Sequence, residues 1–252
     1  MGWFSDVLRA AGAWWRRVRV RESVPAGQLS SVEEVIAQLR AIDQRLSASD
    51  GVAAFNRMYL TVTELVLTRI GGGAFANPAF LTRLDAVFAG LYLQQVSASG
   101  ASLDKAWAPL FEGRGLASEP IQFALAGMNA HINHDLPIAL VRTCRQLGLT
   151  LQSPGVRADY DAVTGILAEI QEQVRQSFLE GIALEADRNL APVVTLIGNW
   201  SIAKAREAAW VTAQTLWELD NVPGVKREFL AALSGSVGMA SRFLLTPPSE
   251  IA

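Results

Sequence analysis

The chain contains two histidines, His131 and His134, and Asp135 follows the second of them directly. His131 and Asp135 stand four residues apart, so on an α-helix their side chains lie one turn apart on the same face. A carboxylate that accepts a hydrogen bond from an imidazole holds the ring in one tautomer, and such a ring exchanges protons near neutral pH. The spacing therefore predicts an acid–base pair, in which His131 moves the proton and Asp135 orients the ring. The alternative is a structural pair that braces neighbouring helices.

The segment that carries this pair is apolar on all sides, so its polar side chains stand out. Residues 121–141 are predicted to form one buried helix, in which each unpaired polar side chain costs about 1–3 kcal/mol. On a helical wheel Asp135 shares an arc with both histidines, whereas Asn129 and Asn133 lie on the opposite arc. Partners must come from other helices, water or a ligand, and bonding between helices is the structural alternative for both asparagines. The candidate substrate-binding residues are Asn129, Asn133, His134, Asn56, Tyr59, Asp85, Arg206 and Trp210.

Two of these candidates carry a charge on a helix face that is predicted to point inward. Asp85 shares a face with Leu81 and Phe88, which predicts a buried partner for its carboxylate. If that partner is charged, replacing Asp85 by Ala is expected to cost about 3–5 kcal/mol. Arg206 shares a face with Trp210, which predicts a guanidinium lying along the indole and paired with a carboxylate.

Several classes of site are excluded by what the sequence lacks. Cys144 is the only cysteine, so an intrachain disulfide and a thiolate zinc cage are both ruled out. The glycines at 71–73 are not followed by the Lys-Ser/Thr pair of a phosphate loop, and they predict a helix end. No serine stands in a Gly-x-Ser-x-Gly context. A formal charge of −2 provides no excess of cations for binding nucleic acid. No organic cofactor is predicted.

The hydrophobic pattern predicts helices along the whole main body of the chain. Half of the 252 residues are hydrophobic, yet no stretch reaches the ~18 nearly uncharged residues of a membrane span. We expect a single all-α domain over residues 30–246, built as a helical bundle around a buried central helix at about 121–147. The predicted helices cover residues 31–46, 50–70, 77–92, 107–111, 119–148, 159–179, 190–219 and 225–244.

The first 21 residues form a separate segment rich in tryptophan and arginine. Trp3, Trp14 and Trp15 stand among five arginines, which is typical of an amphipathic helix. Such a helix either docks its tryptophans on the domain or a partner, or lies on an anionic membrane surface. It is not a secretory signal, because its positive charge follows the apolar part. We expect a cytoplasmic protein, peripheral to the membrane if this segment binds lipid.

Two stretches of sequence carry most of a family resemblance, with shorter matching pieces at 50–51, 62–63, 84–85 and 87–89. The longer one, residues 127–137, reads GMNAHINHDLP, and the shorter one, residues 55–59, reads FNRMY. Together they resemble an uncharacterised family of helical proteins common in actinobacteria, known only as a domain of unknown function. The resemblance covers roughly Asp50 to Trp210 and implies an all-helical fold. It also implies a family hallmark at His131, Asn133 and Asp135, but no reaction.

A second resemblance concerns metal binding. The spacing of His131 and Asp135 is similar to that on the metal helix of the zinc phospholipase C and P1 nuclease group. A trinuclear zinc site needs several distant histidines, and this chain has none beyond His134. A single divalent metal held by His131, Asp135 and Asp85 remains as an alternative.

These observations lead to three alternative functions. The first is an enzyme acting on an apolar small molecule of lipid, polyketide or terpenoid type, by hydrolysis, isomerisation or cyclisation. The second is a non-catalytic helical module that binds lipid or a partner, with a structural polar core. The third is a mononuclear metal-dependent hydrolase. The large apolar content predicts a deep core, a pocket or a subunit interface, so a homodimer is one expected assembly.

Overall fold

The protein is described here by a computed structural model, which covers residues 31–70, 75–184, 195 and 198–247. The predicted N-terminal helix over residues 1–21 and the glycine helix end at 71–73 lie outside these residues. Within them the chain is helical and contains no strand, which confirms the predicted all-α bundle. The α-helices are α1 (Val32–Arg45), α2 (Gly51–Ile70), α3 (Pro78–Val96), α4 (Ala108–Glu112), α5 (Pro120–Ala130), α6 (Leu136–Gln146), α7 (Val156–Leu184), α8 (Ile202–Glu218) and α9 (Pro223–Leu244).

Side-chain caps set the start of several helices where the sequence predicts them. The Ser31 hydroxyl accepts a hydrogen bond from the Glu34 amide at 3.3 Å and so starts α1. The Asn77 side chain accepts from the Phe80 amide at 3.0 Å and starts α3, with Pro78 at the first helical position. These local interactions place α3, which carries Asp85 and Phe88, in register with the rest of the bundle.

A central rod runs through the bundle from Pro120 to Gln146, close to the predicted range of 121–147. It consists of α5, a π-helical turn at His131–Asp135, and α6 in direct succession. The α5 half packs on α2 and α9, and the α6 half packs on α3 and α8. One hydrophobic cluster surrounds each half, so the π-helical turn lies where the two clusters meet.

Two glycines allow helices to approach closely at this junction. A Cβ atom on Gly127 would overlap the ring of Phe55, so the absence of a side chain lets α2 press against α5. A Cβ atom on Gly238 would overlap the Lys105 carbonyl oxygen, so α9 can lie directly on the loop before α4. Both contacts bring polar or aromatic residues of other elements to the π-helical turn.

The predicted helix over residues 190–219 is interrupted just before Ile202, although the described residues 195, 198 and 199 ahead of the break are helical. Trp200 and Ser201 are not helical, and α8 begins at Ile202. The Gln171 side chain bridges this break, because it donates to the Trp200 carbonyl and accepts from the Ile202 amide, each at 2.7 Å. The apolar periodicity continues across the break, which is why the pattern alone did not show it.

None of the helices in the described ranges combines the length and the apolar character that a span requires.

Candidate functional site

The π-helical turn at His131–Asp135 arises beside a proline. Pro137 has no amide hydrogen to donate, and its ring opposes regular α-helical geometry one turn earlier. The Leu136 amide donates instead to the His131 carbonyl, five residues back. Such single π-helical turns inside α-helices occur frequently at functional sites. The sequence predicts a kink from Pro137, and the structure resolves it as this widened turn.

Asp135 is the centre of a buried hydrogen-bond cluster at this turn. Its Oδ2 lies 3.1 Å from His131 Nδ1 and accepts a hydrogen bond from Trp107 Nε1 at 3.0 Å. Its Oδ1 lies 2.8 Å from His134 Nδ1. An ionised carboxylate can only accept, so both imidazoles carry a proton on Nδ1. The predicted pair of His131 and Asp135 is therefore in contact, and His134 and Trp107 join it.

Burial and hydrogen bonding shift the pKa values of Asp135 and His131 in opposite directions. Burial raises the pKa of Asp135, but hydrogen bonds from the two histidines outweigh that effect and hold the pKa below its usual range. Burial lowers the pKa of His131, and its bond to Asp135 only partly offsets the shift. At neutral pH the arrangement is a carboxylate beside a neutral His131, whose Nε2 carries the lone pair.

Aromatic rings enclose the His131 imidazole. The ring of Phe88 stacks on it with centroids 3.5 Å apart and planes 7° apart, and the Tyr59 ring meets it edge-on at 4.7 Å. The enclosure is completed by Phe55, Tyr92 and Trp107. His131 is only 3% exposed, whereas Phe88 is half-buried, so Phe88 lies between the imidazole and the outside.

Three buried polar atoms on this side of the bundle have no hydrogen-bond partner among the described residues. They are His131 Nε2, the Tyr59 hydroxyl and Asp85 Oδ2. Tyr59 contacts the His131 ring, and Asp85 lies one turn before Phe88 on α3. The pKa of Tyr59 is well above its usual value because of burial and then the nearby charges of Asp85 and Asp135. The three groups therefore belong to one neighbourhood.

Asp85 differs from its prediction. The sequence predicts a buried partner for its carboxylate, but no described residue pairs with Asp85 Oδ2. Burial, and then the charge of Glu33, raises the pKa of Asp85 from 3.8 to about 7. The predicted loss of about 3–5 kcal/mol in Asp85→Ala required a charged partner for the carboxylate. Since no described residue is such a partner, that loss is no longer expected. The charge that acts on Asp85 is that of Glu33, which is also acidic and therefore cannot pair with the Asp85 carboxylate.

His134 connects the cluster to the surface. Its Nε2 lies 3.7 Å from Asp104 Oδ2, and the Asp104 side chain is 33% exposed. Asp104 Oδ1 accepts from the Ser234 hydroxyl of α9 at 2.6 Å and from the Ala106 amide at 2.8 Å. Burial lowers the pKa of His134, but Asp135 and Asp104 together raise it above its usual value. The two histidines thus differ: His131 stays neutral, whereas His134 is held between two carboxylates.

Asn129 and Asn133 face away from the His131 ring. The Asn129 side-chain amide donates to the Val237 carbonyl at 2.9 Å and to the Ser241 hydroxyl at 3.0 Å, both on α9. Asn133 donates to Asn129 Oδ1 at 2.9 Å. The two asparagines therefore join α5 and the π-helical turn to α9, and the structure does not place them at the imidazole.

Asn56 also forms bonds between helices. Its amide donates to the Leu39 carbonyl of α1 at 2.8 Å, and its oxygen accepts from the Tyr92 hydroxyl of α3 at 3.2 Å. The Asn56 side chain is fully buried and links α1, α2 and α3. It supports the aromatic wall without presenting a free polar atom to the site.

Arg206 and Trp210 form a separate group between α7 and α8. The Arg206 guanidinium lies 4.1 Å over the Tyr160 ring and donates to Thr164 Oγ1 at 2.8 Å and to the Tyr160 carbonyl at 3.2 Å. The Arg157 guanidinium lies over the Trp210 ring instead, 4.8 Å from the ring centroid. The predicted stacking of Arg206 on Trp210 is therefore wrong, because the Tyr160 ring occupies the space between α7 and α8. No described carboxylate forms an ion pair with Arg206, and burial lowers its pKa.

The predicted metal ligands do not come together. No group of three His, Cys, Asp or Glu side chains in the described part of the chain is arranged to hold a metal ion. His131 and Asp135 direct Nδ1 and Oδ2 at each other, and Asp85 does not join them. The donor set proposed from the sequence therefore does not fit a divalent cation in this arrangement.

Sequence reasoning missed four residues of the site: Trp107, Phe88, Asp104 and Ser234. The sequence places Phe88 on an inward helix face and Trp107 in a short helix, with no functional role for either, although a buried indole N–H usually needs an acceptor. That signal pointed to a buried carboxylate such as Asp135. Asp104 and Ser234 stand 130 positions apart, and no local pattern connects them.

Comparison with known proteins identifies one family. A model described as "Family of unknown function (DUF5995)" matches residues 32–247, a wider range than the Asp50–Trp210 region that carries the resemblance. No curated protein and no solved structure matches the chain. The hallmark at His131, Asn133 and Asp135 stays a prediction.

Proposed function

The chain belongs to the DUF5995 family, and for this member we propose the function of an acid–base enzyme that acts on an apolar small molecule at the His131 ring. His131 acts as the base through Nε2, and Asp135 orients the imidazole through Nδ1. The two other donors to Asp135, His134 and Trp107, keep that carboxylate in place. The substrate is apolar because the groups around the imidazole are aromatic.

One observation supports this proposal most directly: His131 Nε2 is buried and has no hydrogen-bond partner among the residues that the structure describes. An imidazole that only braced helices would gain by using both nitrogens, since an unpaired buried polar atom costs about 1–3 kcal/mol. Here one nitrogen is tied to a carboxylate and the other is left with its lone pair. That is the arrangement in which a carboxylate-oriented histidine accepts a proton.

A specific observation also favours the non-catalytic module as a second candidate. Asn56 and Asn129 donate their hydrogen bonds to neighbouring helices, and Asn133 donates to Asn129 within the rod. The Phe88 ring lies directly on the imidazole, so a substrate reaches His131 only if Phe88 moves. A helical lipid-binding or interaction protein with a structural polar core would show the same packing.

Ring ¹⁵N NMR tests the catalytic candidate directly, because the chain has only two histidines to assign. We expect His131 to be neutral at pH 7, with its proton on Nδ1, and to respond when apolar compounds are added. Asp135→Asn should change the tautomer of His131. A protonated Nε2 in the wild-type protein would contradict the catalytic role, since the base would then have no lone pair.

The variants His131→Gln and Asp135→Asn test the same proposal by function and stability together. Gln keeps the size of the side chain but cannot carry protons at neutral pH, so turnover should disappear while the protein stays folded. A panel of apolar esters and ketones provides the activity assay, and metal analysis of the same samples tests the metal alternative. Wild-type activity in well-folded His131→Gln would overturn the assignment. A structural pair would instead lower the melting temperature in both variants.

A further inference from the structure

The three unpartnered atoms around His131 have a definite hydrogen-bonding polarity. Unprotonated His131 Nε2 can only accept, whereas the Tyr59 phenol can donate. Asp85 Oδ2 is buried and no described cation pairs with it, so the neutral, proton-donating form of the carboxyl is favoured. One acceptor and two donors therefore stand in the same apolar neighbourhood, and each lacks a partner in the described part of the chain.

We propose that this site binds an apolar compound with an enolisable carbonyl group and catalyses its isomerisation by proton transfer. The inference rests on the proposed function of His131 as a base, and it adds the substrate class and the reaction. His131 Nε2 faces the carbon that loses its proton, and the Tyr59 and Asp85 donors face the carbonyl oxygen. The carbonyl oxygen of the substrate then provides the hydrogen-bond acceptor that Tyr59 and Asp85 lack among the described residues.

The reaction needs only the groups that the site contains. His131 Nε2 takes the proton from the carbon next to the carbonyl, and the C–H electron pair becomes part of the new C=C bond. The carbonyl oxygen gains the negative charge, which the Tyr59 hydroxyl and the protonated Asp85 stabilise by hydrogen bonds. In a β,γ-unsaturated carbonyl compound this enolate is a dienolate, and return of the same proton from His131 to its γ-carbon moves the C=C bond into conjugation and completes the isomerisation. No water, oxidant or second substrate is consumed.

The surroundings favour this reaction over hydrolysis. Five aromatic rings surround the imidazole, and His131 is 3% exposed, so the site excludes the water that hydrolysis consumes. An apolar environment also strengthens hydrogen bonds to a developing oxyanion. A neutral carboxylic acid is kept as a donor by such an environment in the same way.

Binding of 2-naphthol tests the polarity of the site directly. Its hydroxyl resembles an enol, since it donates to an acceptor and also accepts from donors. The matched compound 2-methoxynaphthalene has the same ring but cannot donate to His131 Nε2. We expect 2-naphthol to bind at least about tenfold more tightly, because the ether leaves the buried nitrogen unpaired. Equal binding of the two compounds, or binding of neither, would overturn the inference.

Hydrogen exchange in D₂O tests the chemistry. We expect the wild-type protein to accelerate exchange of the protons next to the carbonyl of 2-tetralone above the buffer rate. Tyr59→Phe removes one donor and should slow that exchange by about tenfold or more without lowering the melting temperature. Thr143→Val is the matched control. It deletes another buried, unpartnered hydroxyl, which lies about 18 Å further along the rod, and should leave exchange unchanged.

The outcomes separate this inference from the function on which it rests. If ¹⁵N NMR shows the His131 lone pair on Nε2 but 2-tetralone exchanges no faster than in buffer, the inference is wrong and the acid–base proposal stands. If His131 Nε2 is protonated, both fail. Equal exchange rates in Tyr59→Phe and Thr143→Val would remove Tyr59 from the oxyanion site and so contradict the inference.

Discussion

At the scale of single residues, the site combines one satisfied carboxylate with several unsatisfied groups. Asp135 accepts three hydrogen bonds. In contrast, His131 Nε2, the Tyr59 hydroxyl and Asp85 Oδ2 are buried and have no partner within the described ranges of the chain. In a fold stabilised by only 5–15 kcal/mol, roughly the range for a domain, such groups are a measurable cost. We therefore expect substitutions at these two kinds of position to change stability in opposite directions.

Asp85→Asn should stabilise the protein at pH 8 but not at pH 5. The folded pKa is raised from 3.8 to about 7, so the folded state keeps the proton up to about pH 7 and the unfolded chain loses it near pH 4. Wild-type stability consequently falls as pH rises from about 4 to about 7, by about 2–4 kcal/mol. Asparagine has no charge to bury and should lack this decrease.

Urea unfolding of both proteins at pH 5 and pH 8 measures the difference. Asp161→Asn is the matched control, because the Asp161 side chain is 50% exposed and should contribute little. A wild-type stability that stays constant between these pH values would show that the Asp85 carboxyl is solvated in the folded protein.

Asp135 should behave in the opposite way, because its charge is fully used. Asp135→Leu leaves the Trp107 indole and two imidazole N–H groups without an acceptor, and we expect a loss of about 3–5 kcal/mol. Asp135→Asn keeps one acceptor oxygen and should cost less. Thermal unfolding at pH 7 gives the order of the two variants. Similar melting temperatures for both would mean that the three donors find other acceptors.

At the scale of elements, α9 controls how the loop before α4 meets the π-helical turn. Gly238 lets α9 lie on the Lys105 carbonyl, and this contact places Ser234 on Asp104. Asn129 anchors the same helix from the α5 side through Val237 and Ser241. The environment of His134 therefore depends on the position of α9.

Gly238→Ala should displace α9 and change His134. The new methyl group overlaps backbone, which cannot move aside easily, so we expect a loss of about 1–3 kcal/mol. The pKa of His134 should fall, because Asp104, one of the groups that raise it, moves away with the loop. NMR titration of His134 and thermal unfolding measure both effects.

The control lies on the same helix. A Cβ atom on Gly235 meets nothing within 4 Å, so Gly235→Ala should stabilise α9 by up to about 1 kcal/mol. The pKa of His134 should not change in this variant. If both alanine variants lower it equally, the effect arises from helix α9 as a whole and not from the contact at Lys105.

At the scale of the whole molecule, the family match and the described bundle cover nearly the same residues. The match begins at Val32, and α1 begins there too, capped by Ser31. The Trp- and Arg-rich segment over residues 1–21 precedes both. Its predicted contact with a membrane or a partner, and the predicted homodimer, stay predictions.

Deletion of residues 1–21 should leave a cooperatively folding domain, because the family match starts only at Val32. The full chain should bind vesicles that contain phosphatidylserine more strongly than the deleted chain does, and added salt should weaken that binding. Co-sedimentation with vesicles and thermal unfolding of both proteins provide the measurements. Loss of cooperative unfolding on deletion would mean that the tryptophans belong to the core.

Local spacing in the sequence determined the helices and the pairing of His131 with Asp135. Helix caps such as Ser31 and Asn77 act over three residues, and an i,i+4 pair meets whenever the helix forms. The same helical periodicity also places the Asn129 and His131 side chains on opposite faces of the rod. These features depend on distances of one or two turns, which the order of residues alone sets.

Only the tertiary structure decided which residues complete the site. Trp107 reaches Asp135 across 28 positions, and Phe88 reaches His131 across 43, because helices α3, α4 and the rod meet at particular angles. The missing partner of Asp85 and the break before α8 are decided in the same way. The apolar stripe of one helix can be buried in many different helix arrangements. Close contacts, such as that between Gly127 and Phe55, allow only one of these arrangements.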